Sequence, residues 1–234
     1  MTLIAIPALG CGAGQYDEVA GLLAPQARLA SVVATEDRLE ACVAQVLAAA
    51  PDRFVLMGTS FGGRVALETA LAAPERVRGL IVIGASAGPI ADRAVGLARG
   101  KRMRGGEFEQ VLAEMGAMVA HLPGPRGPAA RDAFIAMAQA MGAEGMARQS
   151  DALAHRGDLW PRLASLAMPV LCLWGREDQF TAAAQGLSLS QAVARGRYVE
   201  IAECGHFPSL EYPQETAAII GRWLTDHGLE RNRF

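Results

Sequence analysis

The sequence predicts an α/β protein built on a parallel sheet, and three observations carry that expectation. Short apolar runs recur at residues 3–6, 54–57, 77–83, 170–174 and 198–201, with a weaker one at 29–33. The runs are continuous rather than alternating, as strands read when both faces of a sheet are covered. Between them lie Ala- and Leu-rich stretches at helical spacing, residues 37–49, 61–73, 181–194 and 215–226. Strand and helix therefore alternate, as in right-handed crossover units.

Taken in order, the first run, 3–6, stops at Pro7, and the run 54–57 stops at Gly58. The helical pattern from Phe61 ends before Pro74. The rhythm then breaks, because residues 88–157 hold no strand candidate and only helical patterns and breakers such as Gly105-Gly106. Phe108, Val111, Leu112, Met115 and Val119 fall on one helix stripe there. The expected organisation is a core of residues 1–87 and 158–234, with residues 88–157 inserted as a helical cap. Met103, Met115, Met118, Met137, Met141 and Met146 lie in that interval; they suit core gaps, with a deformable apolar substrate pocket as the alternative use.

Composition excludes several classes. The chain has 234 residues, 51% hydrophobic and 20% charged, with 26 Gly and 12 Pro. It is neither disordered, nor a coiled coil, nor collagen-like. A chain this long buries about 70% of its unfolded surface and needs no disulfide or metal staple. Its net charge of −2 offers no field for a phosphate backbone, so nucleic acid is not expected as a partner. The four cysteines, Cys11, Cys42, Cys172 and Cys204, form no Cys-x-x-Cys pair. No basic leader precedes the apolar stretch at residues 3–6, and no uncharged apolar run reaches the roughly 18 residues of a membrane span. A cytoplasmic protein without membrane association is expected. Lys101 is the sole lysine.

The sharpest local signal is Gly58-Thr59-Ser60-Phe61-Gly62-Gly63, between a strand candidate and a helical pattern. A serine on so tight a turn has its hydroxyl lifted into the open, and the flanking glycines let strand and helix approach without Cβ clashes. A serine hydroxyl needs a base, usually a histidine oriented by a carboxylate. Of four histidines, His121 and His155 lie in the cap interval and His227 in the charged tail. His206 instead follows the run 198–201 in a loop before the last helix, at the sheet edge where reacting groups of open α/β sheets gather. Asp178 follows the run 170–174 and has Glu177 as a rival acid. The three loops come in the chain order Ser, Asp, His.

On these residues the sequence resembles the α/β-hydrolase family over nearly its whole length. The shared features are the first strand and its loop, the elbow at Ser60, a helical cap, the acid loop Leu173-Trp174-Gly175-Arg176-Glu177-Asp178, and the Gly205-His206 loop with Glu211 and Pro213 behind it. It looks most like the short bacterial esterase and lactonase branch. The resemblance implies an α/β-hydrolase fold of about six mostly parallel strands with a helical cap. It also implies Ser60 as nucleophile, Asp178 as acid and His206 as base, with no cofactor and no metal. Many relatives carry His-Gly after the first strand, where this chain has Pro7-Ala8-Leu9-Gly10. An oxyanion hole needs two backbone amides; Phe61 supplies one, and Leu9 the second if Pro7-Ala8 stands where His-Gly usually does. Relatives with an elbow Asp, the haloalkane dehalogenases and epoxide hydrolases, are disfavoured by Ser60.

The expected activity is cleavage of a small carboxylic ester or lactone through an acyl-enzyme. Carbon–carbon bond hydrolysis on the same triad and a non-catalytic binder remain alternatives. A nicotinamide oxidoreductase is disfavoured because the third glycine of the turn Gly10-Cys11-Gly12-Ala13-Gly14 would fall on Gln15. The cap's Met, Leu and Phe content suggests a substrate with an apolar portion. The cations Arg99, Lys101, Arg102 and Arg104 suit a solvated helix face, with capture of a substrate carboxylate as the alternative. Oligomeric state is not legible.

Overall fold

Six strands form one fully parallel sheet in the order β2-β1-β3-β4-β5-β6. They are β1 (Thr2–Ile6), β2 (Arg28–Ser31), β3 (Phe54–Thr59), β4 (Val77–Ile83), β5 (Val170–Gly175) and β6 (Gly196–Ile201). The computed structural model describes residues 1–90 and 92–230. Strand side chains alternate between two apolar layers. Ile4, Ile6, Leu56 and Val82 face one layer, and Leu3, Ala5, Met57 and Ile81 the other.

Helices α2 (Leu39–Ala49), α3 (Phe61–Ala72) and α7 (Ala183–Ala192) cover the first face. Helices α1 (Asp17–Leu23) and α9 (Pro213–Asp226) cover the second. In α9, Ala217, Ile220, Trp223 and Leu224 are buried at the i, i+3, i+6, i+7 spacing of one helix stripe. Helix α1 was not anticipated, because Val19 and Leu23 are its only buried side chains and two positions define no period.

Residues 88–157 carry α4 (Arg93–Arg102), α5 (Phe108–Gly116) and α6 (Gly127–Ala154) and, among the described residues, no strand. Gly142, with φ of +79°, breaks α6 into two segments. The stripe on α5 packs as its spacing requires, with Val111 and Leu112 buried and Phe108 and Met115 against them, and Val119 is buried in the turn just beyond the helix. Those residues join the apolar layer over α2 and α3 in one continuous cluster. Met103 and Met146 are buried in it and Met137 and Met141 pack against it, so these methionines mainly fill core space. Helix α8 (Pro208–Glu211) is a single turn between β6 and α9. No helix among the described residues is long and apolar enough to cross a membrane.

The chain passes from β1 outward to β2 and then returns to β3 on the other side of β1. Strand order thus reverses between β1 and β3, and in open α/β sheets the crevice at such a reversal is where ligands bind. The loop after β1 carries Leu9 and the turn after β3 carries Ser60.

Candidate active site

Ser60 sits between β3 and α3 with φ 55° and ψ −114°, a conformation that costs an L-residue about 1–3 kcal/mol. Local packing enforces it. A Cβ on Gly58 would lie 2.1 Å from the Gly62 carbonyl oxygen, and one on Gly62 would lie 2.0 Å from that of Ile6. Strand, turn and helix are therefore closer than any side chain allows. Beneath the turn, the Tyr16 hydroxyl bonds both Thr59 Oγ1 (2.7 Å) and the Ile6 carbonyl (3.1 Å), joining the ends of β1 and β3.

The loops after β5 and β6 bring Asp178 and His206 together, with Nδ1 of the imidazole 2.7 Å from Oδ2 of the carboxylate. Both side chains are buried. The other carboxylate oxygen, Oδ1, accepts the amides of Phe180 (2.8 Å) and Thr181 (2.9 Å). One oxygen therefore holds the turn and the other holds the imidazole, which fixes the plane of the carboxylate. Glu177 is exposed, and Asp178 is the acid of the two that bonds His206. The Ser60 amide donates to the Ile83 carbonyl at 2.8 Å, and the next residue, Gly84, lies against the Asp–His pair. A Cβ there would come within 3.0 Å of His206 Nδ1 and 3.1 Å of Asp178 Oδ2. Ser60 and His206 line one cavity of about 320 Å³ together with Leu9 and Phe61.

Leu9 stands in a loop pinned on both sides. The Ala8 amide donates to Gln15 Oε1 (2.7 Å) and the Gly10 amide to Gln149 Oε1 (2.8 Å). The amides of Leu9 and Phe61 have no hydrogen-bond partner among the described residues. The glycines of this loop left its course open in the sequence; two buried glutamine side chains define it. No group of three or more His, Cys, Asp or Glu side chains among the described residues is placed to share a metal ion.

The model of the Alpha/beta hydrolase family matches residues 2–219. The chain belongs to this family. It is 30% identical to the 2-hydroxymuconate semialdehyde hydrolase of Pseudomonas sp. (strain CF600), in an alignment that covers 73% of this chain and 62% of that protein. It is 31% identical to the pimeloyl-[acyl-carrier protein] methyl ester esterase of Aeromonas hydrophila, over 77% of this chain and 74% of the relative. The chain spans 62% of the length of the first two curated relatives it matches. Among solved structures, a thermophilic esterase from Thermogutta terrifontis superposes with a TM-score of 0.88 at 20% identity, covering 97% of this chain and 90% of that one. This likeness concerns the fold.

Two further parts of this alpha/beta hydrolase site have roles that the sequence did not disclose. Glu211, buried on α8, accepts the amides of His121 (2.8 Å), Gly205 (2.9 Å) and Phe207 (3.1 Å). Its carboxylate thus ties down the loop on both sides of His206. Glu211→Ala would leave three amide donors unpaired, two of them buried and that of His121 part-buried. We expect it to lose about 3 kcal/mol of stability, or about 10 °C in Tm for a chain of this size, in thermal melts followed by circular dichroism; a Tm unchanged within 2–3 °C would overturn this assignment. Gln149, on α6, also donates through Nε2 to the Ala34 carbonyl at 2.7 Å, so α6 braces the loop that carries Leu9.

Of the remaining histidines, two have structural partners: Nδ1 of His155 bonds the Asp151 carbonyl and Nδ1 of His227 the Trp223 carbonyl. The basic run divides. Arg102 pairs with Glu107 and Glu114, Arg104 with Glu144 and Asp151, and Lys101 is exposed. These three belong to a solvated face. Arg99 alone turns to the cavity.

Proposed function

We propose that this chain is a serine hydrolase that cleaves a small carboxylic ester or lactone through an acyl-enzyme. The observation that carries the proposal is the buried 2.7 Å bond between His206 and Asp178 on the cavity into which the strained Ser60 turn opens. Ser60 Oγ attacks the carbonyl carbon while Nε2 of His206 takes the hydroxyl proton. Asp178 keeps the other ring nitrogen protonated and stabilises the imidazolium. The negative charge on the carbonyl oxygen is met by the amides of Leu9 and Phe61, aided by the positive N-terminal end of α3. Collapse of the tetrahedral intermediate expels the alcohol, which receives the proton from His206. Water then attacks the acyl-serine with His206 as base, releasing the acid and restoring Ser60. Residues 88–157 act as the cap that closes the apolar side of the cavity, over a core of residues 1–87 and 158–234. A small molecule with an apolar portion, turned over in the cytoplasm without a cofactor, fits this assignment.

A second reading, hydrolysis of a carbon–carbon bond, is favoured by the similarity to a semialdehyde hydrolase. The same three residues would serve it. Reaction with a fluorophosphonate probe tests the shared nucleophile. We expect one label, located on Ser60 by peptide mass mapping, absent in Ser60→Ala and slowed in His206→Ala. Folded protein that takes up no label would instead be a non-catalytic binder. Product analysis on nitrophenyl esters of rising chain length, on lactones and on dienoic diketone-like acids separates the two reactions.

A further inference from the structure

We propose that Arg99 and Arg156 form an anion-binding subsite in the cavity, and that the substrate carries an anionic oxygen group, a carboxylate or a phosphate, remote from the bond cleaved. This rests on the serine-hydrolase reading and names its substrate class. The cavity wall contains three arginines, Arg64, Arg99 and Arg156, and no Asp or Glu. Arg64 is fully engaged: it bonds Glu68 and the carbonyls of Ala87, Gly88 and Gly157. Its charge is met by Glu68 and its donors are met by the backbone.

The other two are not engaged. The Nε of Arg156 is buried without a partner among the described residues, and the guanidinium of Arg99 has no hydrogen bond to any described residue. The acids near them are taken. Glu114, the acid that acts on Arg99, is held by both terminal nitrogens of Arg102. Asp158, which acts on Arg64, accepts the Trp160 amide. Burial is the main cause that pushes both guanidinium pKa values down; like charge adds to it, from Arg102 on Arg99 and from Arg64 and Arg99 on Arg156. Half-buried, unpaired and mutually repelling cations are costly in the empty site, and an anion relieves both costs. Arg99 and its neighbours Met115 and Phe180 also line an outer groove, so Arg99 stands where that groove meets the cavity. Leu9, Val119, Phe134 and Leu153 supply an apolar stretch of the wall, beside the polar Ser86, Thr181 and Gln185. The complementary ligand has an apolar chain that ends in negative charge.

The test uses esters matched in length that bring the charge in on either side of the bond. On the acyl side, 4-nitrophenyl hydrogen adipate and 4-nitrophenyl 5-phosphonopentanoate are compared with 4-nitrophenyl hexanoate. On the alcohol side, 4-hexanoyloxybutanoate is compared with its amide. At least one anionic ester is expected to exceed its neutral partner in kcat/KM by about tenfold, mainly through KM. Arg99→Gln and Arg156→Gln should each erode that ratio, Arg156→Lys should retain part of it, and the exposed-charge control Lys101→Gln should leave it alone. The carboxylate and phosphonate arms identify the anion. Neutral esters turned over as well as their charged partners on both sides, or a ratio equal in Arg99→Gln, Arg156→Gln and Lys101→Gln, would overturn the subsite. Calorimetric binding of adipate and of inorganic phosphate to the unmodified protein judges it apart from catalysis. If no ester is cleaved, the hydrolase reading fails by itself. The subsite then stands if adipate or phosphate binds and Arg156→Gln weakens it about tenfold, and falls if neither anion binds.

Discussion

Replacing Ser60 by Ala is expected to lower kcat on a nitrophenyl ester by about 10⁴- to 10⁶-fold, with the melting temperature little changed. The size follows from what is removed. The variant keeps the cavity, the Asp178–His206 pair and the amides of Leu9 and Phe61, and loses only the hydroxyl assigned as nucleophile in the proposed mechanism. What remains is whatever binding and oxyanion stabilisation achieve with water as nucleophile, which in triad enzymes is a small residue. Stability should stay within about 1 kcal/mol, because the hydroxyl makes no hydrogen bond to any described residue and the turn is held by glycine contacts on either side. Steady-state kinetics with an active-site titration decide the matter. A Ser60→Ala protein that retained a tenth of the activity would require a different nucleophile.

Gly62→Ala is expected to cost more than about 4 kcal/mol, enough to leave little folded protein at growth temperature. The added methyl would lie 2.0 Å from the Ile6 carbonyl oxygen and 2.5 Å from that of Pro7. Both obstacles are backbone, so no side chain can swing aside. Relief requires α3 to withdraw from the end of β1, which would also pull the Ser60 turn away from the loop carrying Leu9. Gly12→Ala is the matched control: nothing lies within 4 Å of its Cβ position, and its φ of −94° suits any residue. We expect that change to be neutral or slightly stabilising. Urea unfolding of the two variants side by side gives the comparison. Equal midpoints would mean that the crowding at Gly62 carries no energetic weight.

Strands and triad candidates were legible because their causes are local. A strand covered on both faces must be apolar at successive positions, and β4 runs over the residues 77–83 that the pattern marks. The elbow is legible because glycine is the one residue that fits at 58 and 62. Loops at strand ends directed attention to Asp178 and His206, but could not separate Asp178 from Glu177. The choice depends on which carboxylate turns inward, and Asp178 does so because Oδ1 is engaged by two amides of its own turn. The packing of Gly84, the bracing by Gln149 and the three hydrogen bonds that Glu211 accepts left no mark of their own. Each acts on a partner distant in the chain or on backbone atoms, and neither leaves a period or a motif.

The basic run at the end of α4 and just beyond it marks the boundary between the two kinds of knowledge. From residue order alone, Arg99, Lys101, Arg102 and Arg104 are four equivalent cations on one helix. In the folded protein two of them are tied to acids, Lys101 is exposed, and Arg99 lines the cavity that Arg156 also lines. Residue order determines the alternation of strand and helix, the strained serine and the chain order of its partners, because these follow from sterics and short-range packing. Tertiary structure alone decides which charges lose their counterions, because that depends on every element packed around them, and Coulomb energy is set by distance through space rather than separation along the chain.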